Sequence, residues 1–157
     1  MSFVIMDSKP HLNENGIRYL CEWLRQVYII MTNENYFANN ILGDFENLEI
    51  ISYDKEIDFN DLFEQLRSQY HIERLTIQSG GMMNSHLLRE GLIDYVKVVV
   101  APLLVGGKDT PIVIDGESIE SLEELSRMRA LRLNDCIILN DSYVLLDYDV
   151  INQTIVE

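Results

Sequence analysis

The five consecutive apolar residues Val27-Tyr28-Ile29-Ile30-Met31 constrain the fold more than any other stretch. The run is too short for a buried helix and lacks the polar alternation of a half-exposed strand. It reads as a strand buried on both faces, the situation of a parallel sheet covered by helices. Thr32-Asn33-Glu34-Asn35 closes it. A second long run, 95–101, stops at Pro102 and reads the same way, and shorter runs at 3–6, 48–51 and 74–78 supply further strands. Helical signals lie between them. Ile17, Leu20, Cys21 and Leu24 recur at helical spacing, and Asp58 stands as an N-cap before a stripe of Leu62, Phe63, Leu66 and Tyr70. Ser79-Gly80-Gly81 opens a third helix reaching about Glu90, with Gly91 in the C′ position. Beyond Pro102 the pattern changes: 131–139 and 143–150 flank Asn140-Asp141-Ser142 as a hairpin. The order predicts an α/β domain, a mostly parallel central sheet flanked by helices with a C-terminal antiparallel hairpin.

A chain of 157 residues suits one domain over 1–157. Its 12 Lys and Arg against 26 Asp and Glu leave a net charge of −14. A field of that sign repels phosphate backbones and anionic lipid surfaces, which argues against nucleic-acid and membrane partners. An anionic ligand would need backbone donors or a few placed cations. Cys21 and Cys136 are too few for a disulfide framework or a zinc site and read as two reduced thiols. With no signal-peptide pattern and no apolar run of about 20 residues, the expected location is cytoplasmic. His11, His71 and His86 are scattered without an orienting carboxylate, and Asp109 and Asp115 have no His nearby. The sequence therefore nominates no metal site and no catalytic residue.

The chemistry-bearing stretch is 75–92, Leu-Thr-Ile-Gln-Ser-Gly-Gly-Met-Met-Asn-Ser-His-Leu-Leu-Arg-Glu-Gly-Leu. A buried strand running into two glycines and a helix presents backbone N–H groups at the positive end of the helix dipole, where a phosphate can approach closely. Taken alone, the same Gly-Gly also serves as a mere tight strand-to-helix turn.

The longer string Ser79-Gly80-Gly81, Asn84, 87–94 (Leu-Leu-Arg-Glu-Gly-Leu-Ile-Asp) and 101–107 (Ala-Pro-Leu-Leu-Val-Gly-Gly) resembles one family. It is similar to the reductase domain at the C-terminus of bifunctional riboflavin-biosynthesis deaminase/reductases, which has a dihydrofolate reductase-like fold. The resemblance implies an NADPH-dependent reductase like that acting on 5-amino-6-(5-phosphoribosylamino)uracil. It implies a pyrophosphate site at Gly80, Gly81 and Asn84, with Met82 and Met83 where relatives often have Thr-Leu. It also implies an adenosine-side contact for the ribose 2′-phosphate at Thr32 and Asn33, with Lys9 and Ser8 beside it. Ser79 stands at a substrate-contacting position where relatives commonly carry Glu, and a cis Gly80–Gly81 peptide is implied as well.

Full family members open with a strand and helix to which nothing here corresponds, because Phe3-Val-Ile-Met-Asp-Ser matches a later strand. In the family that opening strand lies between the strand ending at Gln78 and the strand over 95–101. The slot is expected to be filled by the 3–6 segment or by another chain, giving a homo-oligomer or a complex with a complementary chain. Two alternatives share the same residues: a non-catalytic or split nucleotide-binding relative, and a reductase of another small molecule such as a pterin.

Overall fold

The 27–31 run lies within β2 (Gln26–Met31), the middle strand of an all-parallel sheet, between β1 (Ser2–Met6) and β3 (Leu48–Ser52). In this computed structural model residues 1–9, 11–32 and 41–152 are described. They divide between two compact units, Met1–Glu73 and Arg74–Glu157. Pairing runs from Ser2↔Gln26 to Met6↔Ile30 and from Val27↔Leu48 to Met31↔Ser52.

In the first unit, Val27, Ile29 and Met31 point to one face of the sheet and share a core with Ile17 and Cys21 of α1 (Glu14–Trp23) and with Ile41 and Leu48. Tyr28, on the opposite face, meets Tyr70 edge to face, with centroids 4.8 Å apart. This two-sided burial is what the unbroken apolar run requires. Asn13 caps α1 through Gly16 N–H, and Asn47 Nδ2 donates to the carbonyls of Cys21 and Leu24 at the other end. Asp58 caps α2 (Phe59–Ser68) through Asp61 N–H at 3.0 Å, as its sequence position predicts.

The second unit holds α3 (Gly81–Arg89), β4 (Tyr95–Val100), α4 (Leu122–Leu125), β5 (Ala130–Ile138) and β6 (Val144–Ile151). The three strands form an antiparallel sheet in the order β4-β6-β5, with β5 and β6 as the expected C-terminal hairpin. Gly91 ends α3 at φ +73°, and Gly91 N–H and Leu92 N–H reach the carbonyls of Leu88 and Leu87. This is the bond pair of a Schellman cap, which glycine supplies without strain.

The α/β class stands, and three expectations need correcting. First, the parallel pairing is confined to β1–β3, and 74–78 is not a strand. A strand is defined by its ladder, and among the described residues no backbone hydrogen bond joins 74–78 to anything. Second, β4 is not buried on both faces. It pairs with β6 alone, and Tyr95, Val99 and Val100 are exposed. Third, the 3–6 segment, expected as one filler of the slot beside the 95–101 strand, is β1 of the parallel sheet in the first unit, paired with β2.

Candidate functional site

The start of α3 is built by a close approach of backbone to backbone. A Cβ on Gly81 would lie 2.5 Å from the Ile112 carbonyl oxygen and 2.8 Å from Asp115 Cβ, so no other residue fits. Asp115 N–H donates to Gly81 C=O at 3.1 Å, tying the 112–115 segment to the first turn. Asn84 completes the clamp: Ser79 Oγ donates to its Oδ1 at 2.6 Å, and its Nδ2 donates to Val113 C=O at 2.9 Å. Ser79 is thus held against the helix rather than extended from it.

Gly80 is the N-cap of α3, with φ −81° and ψ 169°, and no side chain caps the helix. Nothing lies within 4 Å of where its Cβ would be. Gly80 C=O accepts the first helical bond from Asn84 N–H, while the amides of Gly81, Met82 and Met83 have no acceptor among the described residues. The Asp115 carboxylate takes Gly116 N–H at 2.7 Å, within its own turn. Met82 is exposed and Met83 half-buried. The Gly80–Gly81 peptide is trans, which corrects the cis geometry that the resemblance implies. With ψ extended at Gly80, a trans bond already lets the chain enter the helix while the following amides point outward.

In the first unit, Thr32 follows β2 and its Oγ1 lies 3.5 Å from Ser8 C=O, just beyond β1. Adjacent parallel strands thus bring Thr32, Ser8 and Lys9 to their C-terminal ends, the edge where open α/β sheets bind ligands. Asn33 lies outside the described residues. Sequence reasoning missed the roles of two residues, one beside each of these places. Asp7 is buried, and its carboxylate accepts His11 N–H at 2.9 Å and Leu12 N–H at 3.2 Å, fixing the loop that carries Lys9. Its signal was an acid directly after an apolar strand and before Ser-Lys-Pro. The other is Asp115, whose signal was the Asp115-Gly116 turn pair after the apolar 112–114 trio.

Among the described residues no group of three or more His, Cys, Asp or Glu could hold a metal ion. No described helix is long and apolar enough to cross a membrane.

An α/β unit with an uncapped helix after Gly-Gly, followed by an antiparallel hairpin, defines the reductase-domain class that the sequence resembles. The RibD C-terminal domain family model matches residues 3–141, and the chain belongs to that family. The chain is 34% identical over 83 residues to the 2,5-diamino-6-ribosylamino-4(3H)-pyrimidinone 5′-phosphate reductase of Methanothermobacter thermautotrophicus, covering 53% of this chain and 38% of that protein. It is 32% identical over 98 residues to the riboflavin biosynthesis protein RibD of Actinobacillus pleuropneumoniae, covering 62% and 25% respectively. The fold matches Acinetobacter baumannii RibD with a TM-score of 0.70 at 22% identity, over 94% of this chain and 37% of that one. Here the chain spans between a quarter and two-fifths of the length of its relatives.

Proposed function

We propose that the chain is the cofactor-holding part of an NADPH-dependent reductase acting on a ribosylaminopyrimidine phosphate. Family membership and the reductase activity for which the Methanothermobacter relative is named support the reaction class. The observation that carries the cofactor reading is the uncapped start of α3, three amides without an acceptor among the described residues beside an N-cap glycine with open space at its Cβ position. That arrangement suits a pyrophosphate, because the donors are fixed and the dipole favours an anion despite the acidic surface. Gly80 lets the phosphate approach, Gly81–Met83 donate, and Asn84 holds Ser79 and the 112–115 segment in place. When bound, the nicotinamide supplies the hydride, and the chain's part is to hold and orient it.

Gly80→Asp tests the assignment. Aspartate is a good N-cap, so the helix is retained or strengthened, while its carboxylate takes the amides that the phosphate would use. Affinity for NADPH should fall at least tenfold with no loss of thermal stability, read by fluorescence titration and thermal unfolding. Unchanged affinity in this folded variant overturns the site.

A separate assignment on the first unit gives Lys9 and Thr32 the ribose 2′-phosphate. Lys9→Ala and Thr32→Ala should each weaken NADPH binding several-fold and leave NADH binding unchanged. Equal affinity of the unaltered chain for the two cofactors removes it.

A further inference from the structure

Residues 112–117 lie along α3 as a strap. Asn84 Nδ2 donates to Val113 C=O, and Asp115 N–H donates to Gly81 C=O. Further along, Gly116 stands against the buried Ser85, whose Oγ is 3.5 Å from the place of a Cβ on the glycine. Arg89 Nη2 then donates to Glu117 C=O at 2.6 Å. The strap contains the single Asp-Gly pair of the sequence, Asp115-Gly116, and both residues are exposed.

The pair is held in a reactive arrangement. Asp115 Cβ is packed against Gly81, so the side chain has little freedom to leave. Its Oδ1 accepts Gly116 N–H at 2.7 Å, which keeps that nitrogen beside the carboxyl carbon. Intramolecular reactions start from such contacts, with the reacting atoms about 3–3.5 Å apart. Gly116, at φ +117°, has no side chain to shield its nitrogen. The two Asp-Ser pairs are arranged otherwise. The Asp7 carboxylate is buried and taken by His11 N–H and Leu12 N–H, and Asp141 is followed by a residue whose side chain crowds the nitrogen.

We propose that Asp115-Gly116 is a site of spontaneous isoaspartate formation, and that this modification releases the strap from the start of α3. The Gly116 nitrogen attacks Asp115 Cγ. The N–Cγ bond forms, the Cγ–OH bond of the protonated carboxyl breaks, and the amide proton leaves with the hydroxyl as one water. Water then opens the five-membered ring. Addition at Cγ restores aspartate; addition at the main-chain carbonyl leaves a backbone that runs through Cβ and Cγ, with a free carboxylate on Cα. The charge is unchanged, but the main chain gains one CH₂ between the residue tied to Gly81 and the residues that meet Ser85 and Arg89. The strap can no longer keep all of these contacts in register, and the first turn of α3 loses its clamp.

Ageing of the full chain at neutral pH tests this, read by peptide mapping with fragmentation that separates isoaspartate from aspartate. Isoaspartate should accumulate at 115 several-fold faster than at 7 or 141, and no slower in the folded chain than in the same chain unfolded in urea. Asp115→Asn should reach the same ring several-fold faster, with ammonia leaving, and Asp115→Glu, which cannot close a five-membered ring, should yield none. The isomerised fraction, separated by chromatography, should unfold at a lower temperature and bind NADPH several-fold more weakly. That last readout rests on the cofactor reading of α3, and the others do not. No isoaspartate at 115, equal amounts at 141, a many-fold faster reaction in urea, or an isomerised chain with an unchanged thermal midpoint overturns the proposal. So does an NADPH affinity that isomerisation leaves unchanged but Gly80→Asp lowers. If neither change alters it, the cofactor reading fails, and the mapping and thermal readouts still decide the isomerisation.

Discussion

Gly80 and Gly81 are neighbours that answer to different constraints. Gly81 is required by packing, because the 112–115 backbone occupies the space of a side chain. Gly80 has open space and a negative φ, so nothing within the chain demands glycine there. Gly81→Ala should cost about 1–3 kcal/mol, since the atoms it meets are backbone or a Cβ fixed to it and cannot swing aside. Gly80→Ala should stay within about 0.5 kcal/mol, as reduced chain entropy in the unfolded state offsets the poorer cap. Urea denaturation of the two variants checks the difference, and equal losses would mean that the first turn is not clamped as described. A sequence reading sees two glycines after a strand and assigns both to the ligand. The packing role of Gly81 was not legible because its partner lies some thirty residues away in a stretch with no periodicity. Asp7 escaped notice for a related reason: a buried carboxylate that holds a loop has the same sequence appearance as a turn residue.

At the scale of elements, the readings that succeeded rest on local chemistry. Asp58 and Gly91 do at the helix ends what their side chains, or the lack of one, dictate, and β2 is buried because every residue of its apolar run has a neighbour on each side. The readings that failed concern partners. The 95–101 run is apolar but for Lys97, yet among the described residues β4 has one strand beside it, and 74–78 has none. Composition states that a segment needs covering; it does not say by what. The α4 turn was missed although Ser121 and Glu124 form a reciprocal capping box, with Glu124 N–H donating to Ser121 Oγ and Ser121 N–H to Glu124 Oε2. The amides of Glu120 and Ser121 hold the Glu124 carboxyl below its ordinary range. Its motif sits in a four-residue helix with too little periodicity to stand out.

For the whole molecule, charge is the dominant non-local term. Acidic side chains outnumber basic ones by 14, and the basic residues that find partners do so at the surface, as in Arg18 with Glu14 and Asp44, and Arg132 with Asp149. Such exposed pairs are screened by solvent and contribute little, so they do not offset the repulsion among the many other carboxylates. Repulsion is felt over roughly 30 Å at 0.01 M ionic strength and only about 8 Å at 0.15 M. Raising sodium chloride across that range should therefore stabilise the fold, lifting the thermal midpoint by a few degrees at about 2–4 °C per kcal/mol for a chain of this size. A midpoint that falls with added salt would mean that the few surface pairs outweigh the net charge.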